Sequence, residues 1–548
     1  MCGIAGVLSK CGENVAPLVG SMLFCMASRG PDGAGVSFEG QVVRSQSVAD
    51  LDLGKMRAQS VIGHSRLAIV GGTCGTQPFR SCDGRFTLEH NGEIYNYKEL
   101  RSRIQSRHAF STETDSEVIV HLLEEHYGSC QNLLEAIKRT VSELDGVYAI
   151  AIRDEETGTT VLARDRLGVR PMYYAENEKM VAFASERKAL WEVGLKEPTL
   201  RVLPGHALVI ENAKTQPQVQ IAGLLDAQVV HKTMASAVAA YEDALMAAMK
   251  KRTQDVERIG IIFSGGIDSV LVAYIASKLV PKVICYTCGV EGSADVEFAR
   301  QIADILGLEL RVNELSQERV EELVPELIRV IEESNAGQIE VALPVYGAVE
   351  LAKRDGIRIM LTGQGADELF GGYNWYSCVA EREGYRKLRK RMAEDLSLLY
   401  KETLEREDKI TMAHSIELRE PYLDLFVIQA SMEMDLRLNV RPNDKFGKRV
   451  HRKLAEKLGI PHDVAFRIKE AAQHGSGMHD MLEAVARKNG FDEEAITSRY
   501  MSEFQSKEKM GSSQRYGYLF EKESKMWVAE PHVQMYLDSL VHQNNSNA

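Results

Sequence analysis

The chain is 548 residues long, with 44% hydrophobic and 26% charged residues and a formal net charge of −12. That length exceeds one ordinary core and fits two domains. The composition is that of soluble globular protein, and no apolar run reaches the length of a membrane span. The acidic balance excludes a general basic field for nucleic acid, so any anion site must be built locally.

The N-terminal stretch MCGIAGVLSK has neither the basic leader nor the long apolar segment of a secretion signal, so a cytoplasmic location is expected. Nine cysteines, an odd number scattered along a large chain, argue against a disulfide framework. Cys285 and Cys288 have redox or zinc spacing, but they sit in the apolar stretch KVICYTCGV and read as part of a buried strand.

Residues 1–210 read as short apolar strands (VIGHSRLAIV, GVYAIAIRD, TTVLARD, MVAFAS, HALVIE) separated by Gly, Asp and Asn turns. A helix is expected near Asp115, where TETDSE offers capping residues ahead of VIVHLLEEHY. Residues 211–232 lose periodicity and read as a linker. From residue 233 the rhythm becomes helix, strand, helix, which predicts a parallel sheet covered by helices, with ligands beyond the carboxyl ends of its strands. Long amphipathic helical patterns follow residue 375; the second domain is placed at 233–530 and a tail at 531–548.

The chemistry begins at Cys2. Removal of the initiator Met would leave nucleophile and base on one residue, because a free α-amine has a pKa of about 8 and can take the thiol proton and return it to a leaving amine. Alone, Cys2 reads better as a small buried residue. Arg29 lies in the turn RGPDG, and HSRLAIV runs Arg66 directly into a strand, where it needs an anionic partner such as an amino-acid carboxylate. HNGEIYN supplies Asn91 and Gly92, which could form an oxyanion hole, and Asp115 could accept a bond from a substrate α-amine. Each motif taken singly fits a structural role in a turn.

Together, the N-terminal Cys-Gly-Ile, RGPDG, SRLAIV, NGEIYN and TDSE, in this order, resemble the glutaminase domain of the class II amidotransferases, which are N-terminal nucleophile hydrolases. The resemblance covers about the first 205 residues. It implies an α+β domain of four layers (αββα), in which Cys2 forms a thioester with glutamine and releases ammonia. By the match Arg66, Asn91, Gly92, Glu93 and Asp115 hold glutamine, with Asn91 and Gly92 as oxyanion hole.

In the second domain the apolar strand IIFSGGIDS ends in Ser-Gly-Gly and passes into a helix near Ser269. Backbone N–H groups, the hydroxyls of Ser264 and Ser269 and the helix dipole suit phosphate oxygens, and Asp268 suits a magnesium bridging them. A tight turn without ligand is the plain alternative. LTGQGADELFGGY follows another apolar strand and offers Asp367 as a second magnesium ligand, while FRIKEAAQHGSG places Arg467 and Lys469 beside a Gly-rich turn.

These segments, with HSIELREPYLD, closely resemble the synthetase domain of glutamine-hydrolysing asparagine synthetases, of the α/β parallel-sheet PP-loop ATP pyrophosphatase type, over residues 235–520. The resemblance implies ATP cleaved to AMP and pyrophosphate, with a carboxylate activated as acyl-adenylate and attacked by ammonia from the glutaminase site. Matching residues put Ser264, Gly265, Gly266, Asp268 and Ser269 at pyrophosphate, Ile262, Cys288, Thr362 and Gly363 around the nucleotide, Lys469 at the reacting centre, and Asp268 and Asp367 on magnesium.

Two departures bear on the acceptor. Gln364 stands where the family usually has Glu in a GEGSDE-like loop. NAGQIEVALP, with Gly337, Gln338 and Glu340, stands where the family has a Thr-Thr-x-Arg stretch associated with aspartate. The expected reaction is therefore asparagine synthesis from aspartate, with the same chemistry on another carboxylate as the alternative and a non-catalytic glutamine or nucleotide sensor as the third reading. Small molecules are the expected partners, and family habit leaves a homodimer open.

Overall fold

A computed structural model of the chain describes residues 1–196, 198–224, 227–467, 475–492, 494 and 531–546. The chain falls into two units, one of residues 1–254 and 364–451, the other of the described residues in 255–363 and 452–548.

The first unit is built on two antiparallel sheets. One orders its strands Leu200–Arg201, Tyr173–Glu176, Met180–Ala184, Gly3–Ser9, Ser60–Ser65, Ala34–Phe38 and Gln41–Ser45. The other runs Lys214–Thr215, His206–Glu211, Thr160–Arg164, Gly146–Asp154, Phe86–Ile94 and Phe79–Arg80, and Val219–Gln220 also pairs with His206–Glu211. Part of the 211–232 stretch is thus tied into this sheet.

The period-two alternation of the strands decides the layering. From GIAGVLS, Ile4 and Leu8 pack with Ala149, Ala151, Leu162 and Leu208 of the opposite sheet. Their neighbours Ala5 and Val7 turn the other way, onto Val19 and Leu23 of the Ala16–Cys25 helix and Leu190 of the Arg187–Glu192 helix. In the second sheet Ile150 and Ile152 face Ile119, Leu122 and Leu123 of the Glu117–Cys130 helix and Ile137 and Val141 of the Leu133–Glu143 helix. The result is helix, sheet, sheet, helix, the four-layer αββα arrangement that the resemblance implies. Each fully buried aliphatic side chain contributes about 1.5–3 kcal/mol to holding these layers together.

The helix expected near Asp115 begins at Glu117, and its N-cap Ser116 makes no side-chain capping bond. Ser116 Oγ instead lies 2.8 Å from His90 Nδ1, and Asp115 accepts the Ile94 N–H at 2.9 Å. Asp115 and Ser116 are thus directed at the Phe86–Ile94 strand, while Glu117 accepts from the Thr112 N–H at 2.8 Å and its hydroxyl at 2.7 Å.

Residues 364–451 bring buried carboxylates onto buried arginines of the same unit. Glu405 accepts from Arg164 Nη2 at 3.1 Å, Arg201 Nε at 2.9 Å and the Tyr173 hydroxyl at 2.6 Å. Asp408 takes Arg29 Nη1 at 2.8 Å, and Asp424 takes Arg252 Nη1 at 2.7 Å. Burial opposes ionisation of Glu405, but Arg201 and Arg164 hold its pKa at about 2.

The second unit carries parallel strands ordered Glu309–Glu314, Lys282–Gly289, Arg258–Ile262 and Ile359–Leu361. Between them in sequence run the helices Ile267–Leu279, Ala294–Leu306, Gln317–Ile331 and Ala336–Arg354, which is the expected alternation. Cys285 and Cys288 are buried in the Lys282–Gly289 strand as free thiols. Among the described residues no helix is long and apolar enough to cross a membrane.

Candidate active site

In the first unit a pocket of about 350 Å³ is lined by Cys2, Arg66, Gly92, Glu93 and Asp115 among others. Its location follows from the sheets: Cys2 immediately precedes the Gly3–Ser9 strand, Arg66 follows the Ser60–Ser65 strand that pairs with it, and Gly92 and Glu93 lie on Phe86–Ile94. Asn91 sits on the same strand beneath Cys2, its Oδ1 accepting the Cys2 N–H at 2.9 Å. Five residues separated by up to 113 positions thus meet at one place.

The donor geometry is specific. With Oδ1 committed to Cys2, Asn91 Nδ2 is buried and has no hydrogen-bond partner among the described residues. A buried amide donor left unmade costs roughly 1–3 kcal/mol unless a ligand takes it, so the group is poised for an oxygen that arrives during a reaction. Gly92 allows no side chain: a Cβ there would sit 2.1 Å from the Val147 carbonyl oxygen and 2.7 Å from His90 Nε2.

Arg66 is 4% exposed, donates to the Val70 carbonyl at 3.1 Å, and has no carboxylate partner among the described residues. It offers a planar donor fork to an anion. Arg29, by contrast, is consumed structurally. Its Nε donates to the Cys2 carbonyl at 3.0 Å while Nη1 reaches Glu186 and Asp408, each at 2.8 Å, so it positions Cys2 rather than a ligand.

Charge at the pocket is set mostly by burial. Desolvation pushes the Cys2 thiol up, opposed by the N-terminal ammonium, the Leu67 N–H and Arg66. Burial lifts Asp115 to about 6, against the Ile94 N–H bond that pulls it down. His64 and His90 are held neutral by burial, each at about 3. The His90 carbonyl lies 3.1 Å from His64 Nε2 and accepts from Gln77 Nε2 at 3.0 Å, which fixes the strand beside Asn91.

Glu417 is a pocket residue that sequence reading did not single out. Burial works against its ionisation, but Arg419 and the N-terminal ammonium hold it below the usual carboxylate range. Glu93 is driven well above that range, first by burial and then by Glu417, with Arg419 opposing. Arg419 joins the two, 2.7 Å from Glu93 Oε2 and 2.6 Å from Glu417 Oε1. Glu417 Oε2 takes the Met1 ammonium at 3.1 Å, and Met1 itself lines the pocket. The signal for Glu417 lay only in HSIELREPYLD, about 300 residues from the rest.

In the second unit the residues expected around ATP gather at the carboxyl ends of the parallel strands. The Arg258–Ile262 strand leads into Ser264, Gly265 and Gly266, and the helix starts at Ile267 with Gly266 as an N-cap that makes no side-chain bond. Gly265 has φ +70°, and Ser269 Oγ accepts the Ser264 N–H at 3.3 Å and donates to the Gly266 carbonyl at 3.0 Å. Free N–H groups of a first helical turn behind a glycine loop suit an anion. Cys288, in the neighbouring strand, is 3% exposed, and Thr362 and Gly363 follow the Ile359–Leu361 strand. A Cβ on Gly363 would lie 3.0 Å from the Asp268 Cβ and from the Ser269 N, so this glycine lets two loops close together.

The remaining expected residues have other partners. Glu340 is fully buried on the Ala336–Arg354 helix, 3.1 Å from His479 Nδ1. Gln364 and Asp367 belong to the first unit, where Gln364 Nε2 donates to Glu407 at 2.5 Å and Asp367 pairs with Lys448 Nζ at 2.8 Å. Lys469 lies outside the described residues. Arg467 places its guanidinium 3.3 Å from the Phe298 ring centroid.

Comparison with known proteins agrees with both halves. The family model described as glutamine amidotransferase domain matches residues 1–224, and that described as asparagine synthase matches residues 240–382 and 379–538. A putative glutamine-hydrolyzing asparagine synthetase of Methanocaldococcus jannaschii is 35% identical over 544 residues, spanning 90% of this chain and 97% of that protein. A probable asparagine synthetase of Schizosaccharomyces pombe is 27% identical over 508 residues, covering 87% of this chain and 85% of its own length. The asparagine synthetase of Zea mays is 28% identical over 527 residues, covering 92% and 82%.

Proposed function

The chain belongs to the glutamine-hydrolysing asparagine synthetases, an ATP-using family of carbon–nitrogen ligases, and on that premise we propose that it makes asparagine from aspartate, glutamine and ATP. The observation that carries the glutaminase half is the pairing of Cys2 with Asn91, whose second amide donor is buried and unmet.

In this reading Met1 is removed, which frees the Cys2 α-amine and vacates the part of the pocket that Met1 lines. Arg66 then holds the glutamine α-carboxylate, ionised Asp115 holds its α-ammonium, and the side-chain amide carbon meets the Cys2 thiol. The Cys2 amine takes the thiol proton as sulfur attacks, and Asn91 Nδ2 and the Gly92 N–H stabilise the oxyanion. Collapse expels ammonia, which leaves with the proton returned by the amine; water then hydrolyses the thioester to glutamate.

In the second unit the Ser264–Ser269 loop binds the β- and γ-phosphates of ATP. Ile262, Cys288, Thr362 and Gly363 surround the nucleoside, and Lys469 supplies charge at the reacting centre. The aspartate side-chain carboxylate attacks the α-phosphorus and pyrophosphate leaves; ammonia then attacks the aspartyl-adenylate and AMP leaves. Asp268, on the first turn of the loop helix, would hold magnesium. Magnesium there would neutralise charge on the phosphates. Glu340 lies 3.1 Å from His479 Nδ1 within its own unit.

The testing variant is Cys2→Ala. We expect glutamine-dependent synthesis and glutaminase activity to vanish while ammonia-dependent synthesis persists. Equal loss of both activities would overturn the division of labour.

A further inference from the structure

Away from the pocket, on the outer helix layer of the first unit, four side chains from three separate segments converge. Cys82 lies in the turn after the Phe79–Arg80 strand, His108 in the loop after the Tyr97–Ile104 helix, and His121 and Glu124 one turn apart on the Glu117–Cys130 helix. One ligand atom from each lies within 4.8 Å of all the others. We propose that this cluster is a structural site for a divalent zinc-class ion.

The spacings carry the argument. Cys82 Sγ is 3.6 Å from His108 Nδ1 and 3.7 Å from His121 Nδ1. Glu124 Oε2 is 3.1 Å from His108 Nδ1 and 3.5 Å from His121 Nδ1. A tetrahedral ion with bonds of about 2.3 Å to sulfur and about 2.0–2.1 Å to nitrogen and oxygen separates sulfur from nitrogen by about 3.6 Å and nitrogen from oxygen by about 3.3 Å. Four of the six separations among these atoms thus lie close to tetrahedral edges, and all six lie within 4.8 Å.

What lies behind the ligands fits as well. His108 Nε2 is 3.2 Å from Glu125 Oε1, which favours the tautomer that leaves its Nδ1 free to ligate, while the Glu117 carboxylate lies 3.8 Å from His121 Nε2, beyond hydrogen-bond reach. Glu124 is held by the N–H groups of Cys82 at 3.0 Å and Asp83 at 3.1 Å, and the Ala109 N–H donates to Cys82 Sγ at 3.4 Å. One thiolate, one carboxylate and two neutral imidazoles balance a 2+ charge. Four protein ligands leave no open position, which marks a structural rather than a catalytic site.

The consequence for the pocket is positional. Asp115 and Ser116 immediately precede the helix that carries His121 and Glu124. An ion that clamps this helix to the Cys82 turn and the His108 loop therefore also holds Asp115 in register.

The test uses the full chain purified without chelator. Elemental analysis should find about one zinc per chain, and cobalt-exchanged protein should show thiolate-to-cobalt charge transfer in the near ultraviolet with tetrahedral ligand-field bands in the visible. Cys82→Ser should remove the charge-transfer band, a mild change at an exposed residue, and Glu125→Gln should weaken zinc binding roughly 10–100-fold without touching the ion. Protein that holds no zinc above background after zinc incubation and desalting would overturn the proposal, as would a cobalt spectrum unchanged by Cys82→Ser. The wild-type cobalt spectrum decides independently of how any variant folds.

Discussion

Asn91 Oδ1 accepts the Cys2 N–H at 2.9 Å, and this one bond both fixes the nucleophilic residue and leaves the Asn91 amide donor buried with no partner among the described residues. The amide cannot rotate without losing Cys2, so its Nδ2 is preorganised for an oxyanion. Asn91→Ala should lower glutaminase kcat by about 10²–10³-fold. Steady-state glutamate release measures it. A change confined to KM would assign Asn91 to ground-state binding instead.

Arg66 offers its fork to the pocket without a carboxylate partner among the described residues. Charge-assisted bonds of this kind are worth about 1.5–3 kcal/mol, so Arg66→Ala should weaken glutamine binding roughly 10–150-fold. Ammonia-dependent synthesis should keep its rate. An unchanged KM for glutamine would remove Arg66 from the site.

Asp115 makes glutamine use depend on pH. Its carboxyl is lifted from 3.8 to about 6 by burial, so it is protonated in the free pocket below about 6 and cannot then take an α-ammonium. kcat/KM for glutamine should fall about tenfold per pH unit below that point, with ammonia-dependent synthesis unaffected. The stability sign is opposite: a raised carboxyl favours the fold below 3.8, and that contribution is lost as pH rises through about 6. A flat glutamine profile from pH 5 to 8 would contradict the role.

Arg29 has Asp408 and Glu186 as buried partners, each at 2.8 Å. Removing one partner of a buried pair costs about 3–5 kcal/mol, so Asp408→Ala should shift chemical denaturation strongly toward lower denaturant. Loss below about 1 kcal/mol would mean that Glu186 alone suffices.

Much of this molecule was legible in the sequence because its signals are local. GIAGVLS alternates, and the alternation alone separates Ile4 and Leu8 from Ala5 and Val7 into different layers. SGGIDS marks a strand-to-helix turn whatever packs around it. The pocket motifs were readable only as a set, since Asn91 or Asp115 alone fits a turn. Glu417 was not readable: its place beside Met1 and Glu93 is created by folding, across more than 300 residues. The helix after Asp115 was expected to draw caps from TETDSE, but Asp115 and Ser116 bond to Ile94 and His90 of the neighbouring strand instead. The partners of Glu340 and Asp367, His479 and Lys448, likewise lie too far along the chain to infer.

The measurement that bears most directly on the central claim is pyrophosphate release by the purified chain with ATP, magnesium and ammonium, with aspartate compared against other amino and dicarboxylic acids. Release that depends on aspartate and matches asparagine formed is the expected result, with Gln364 and Glu340 as tolerated variants. Inert aspartate beside an active alternative acid would contradict it.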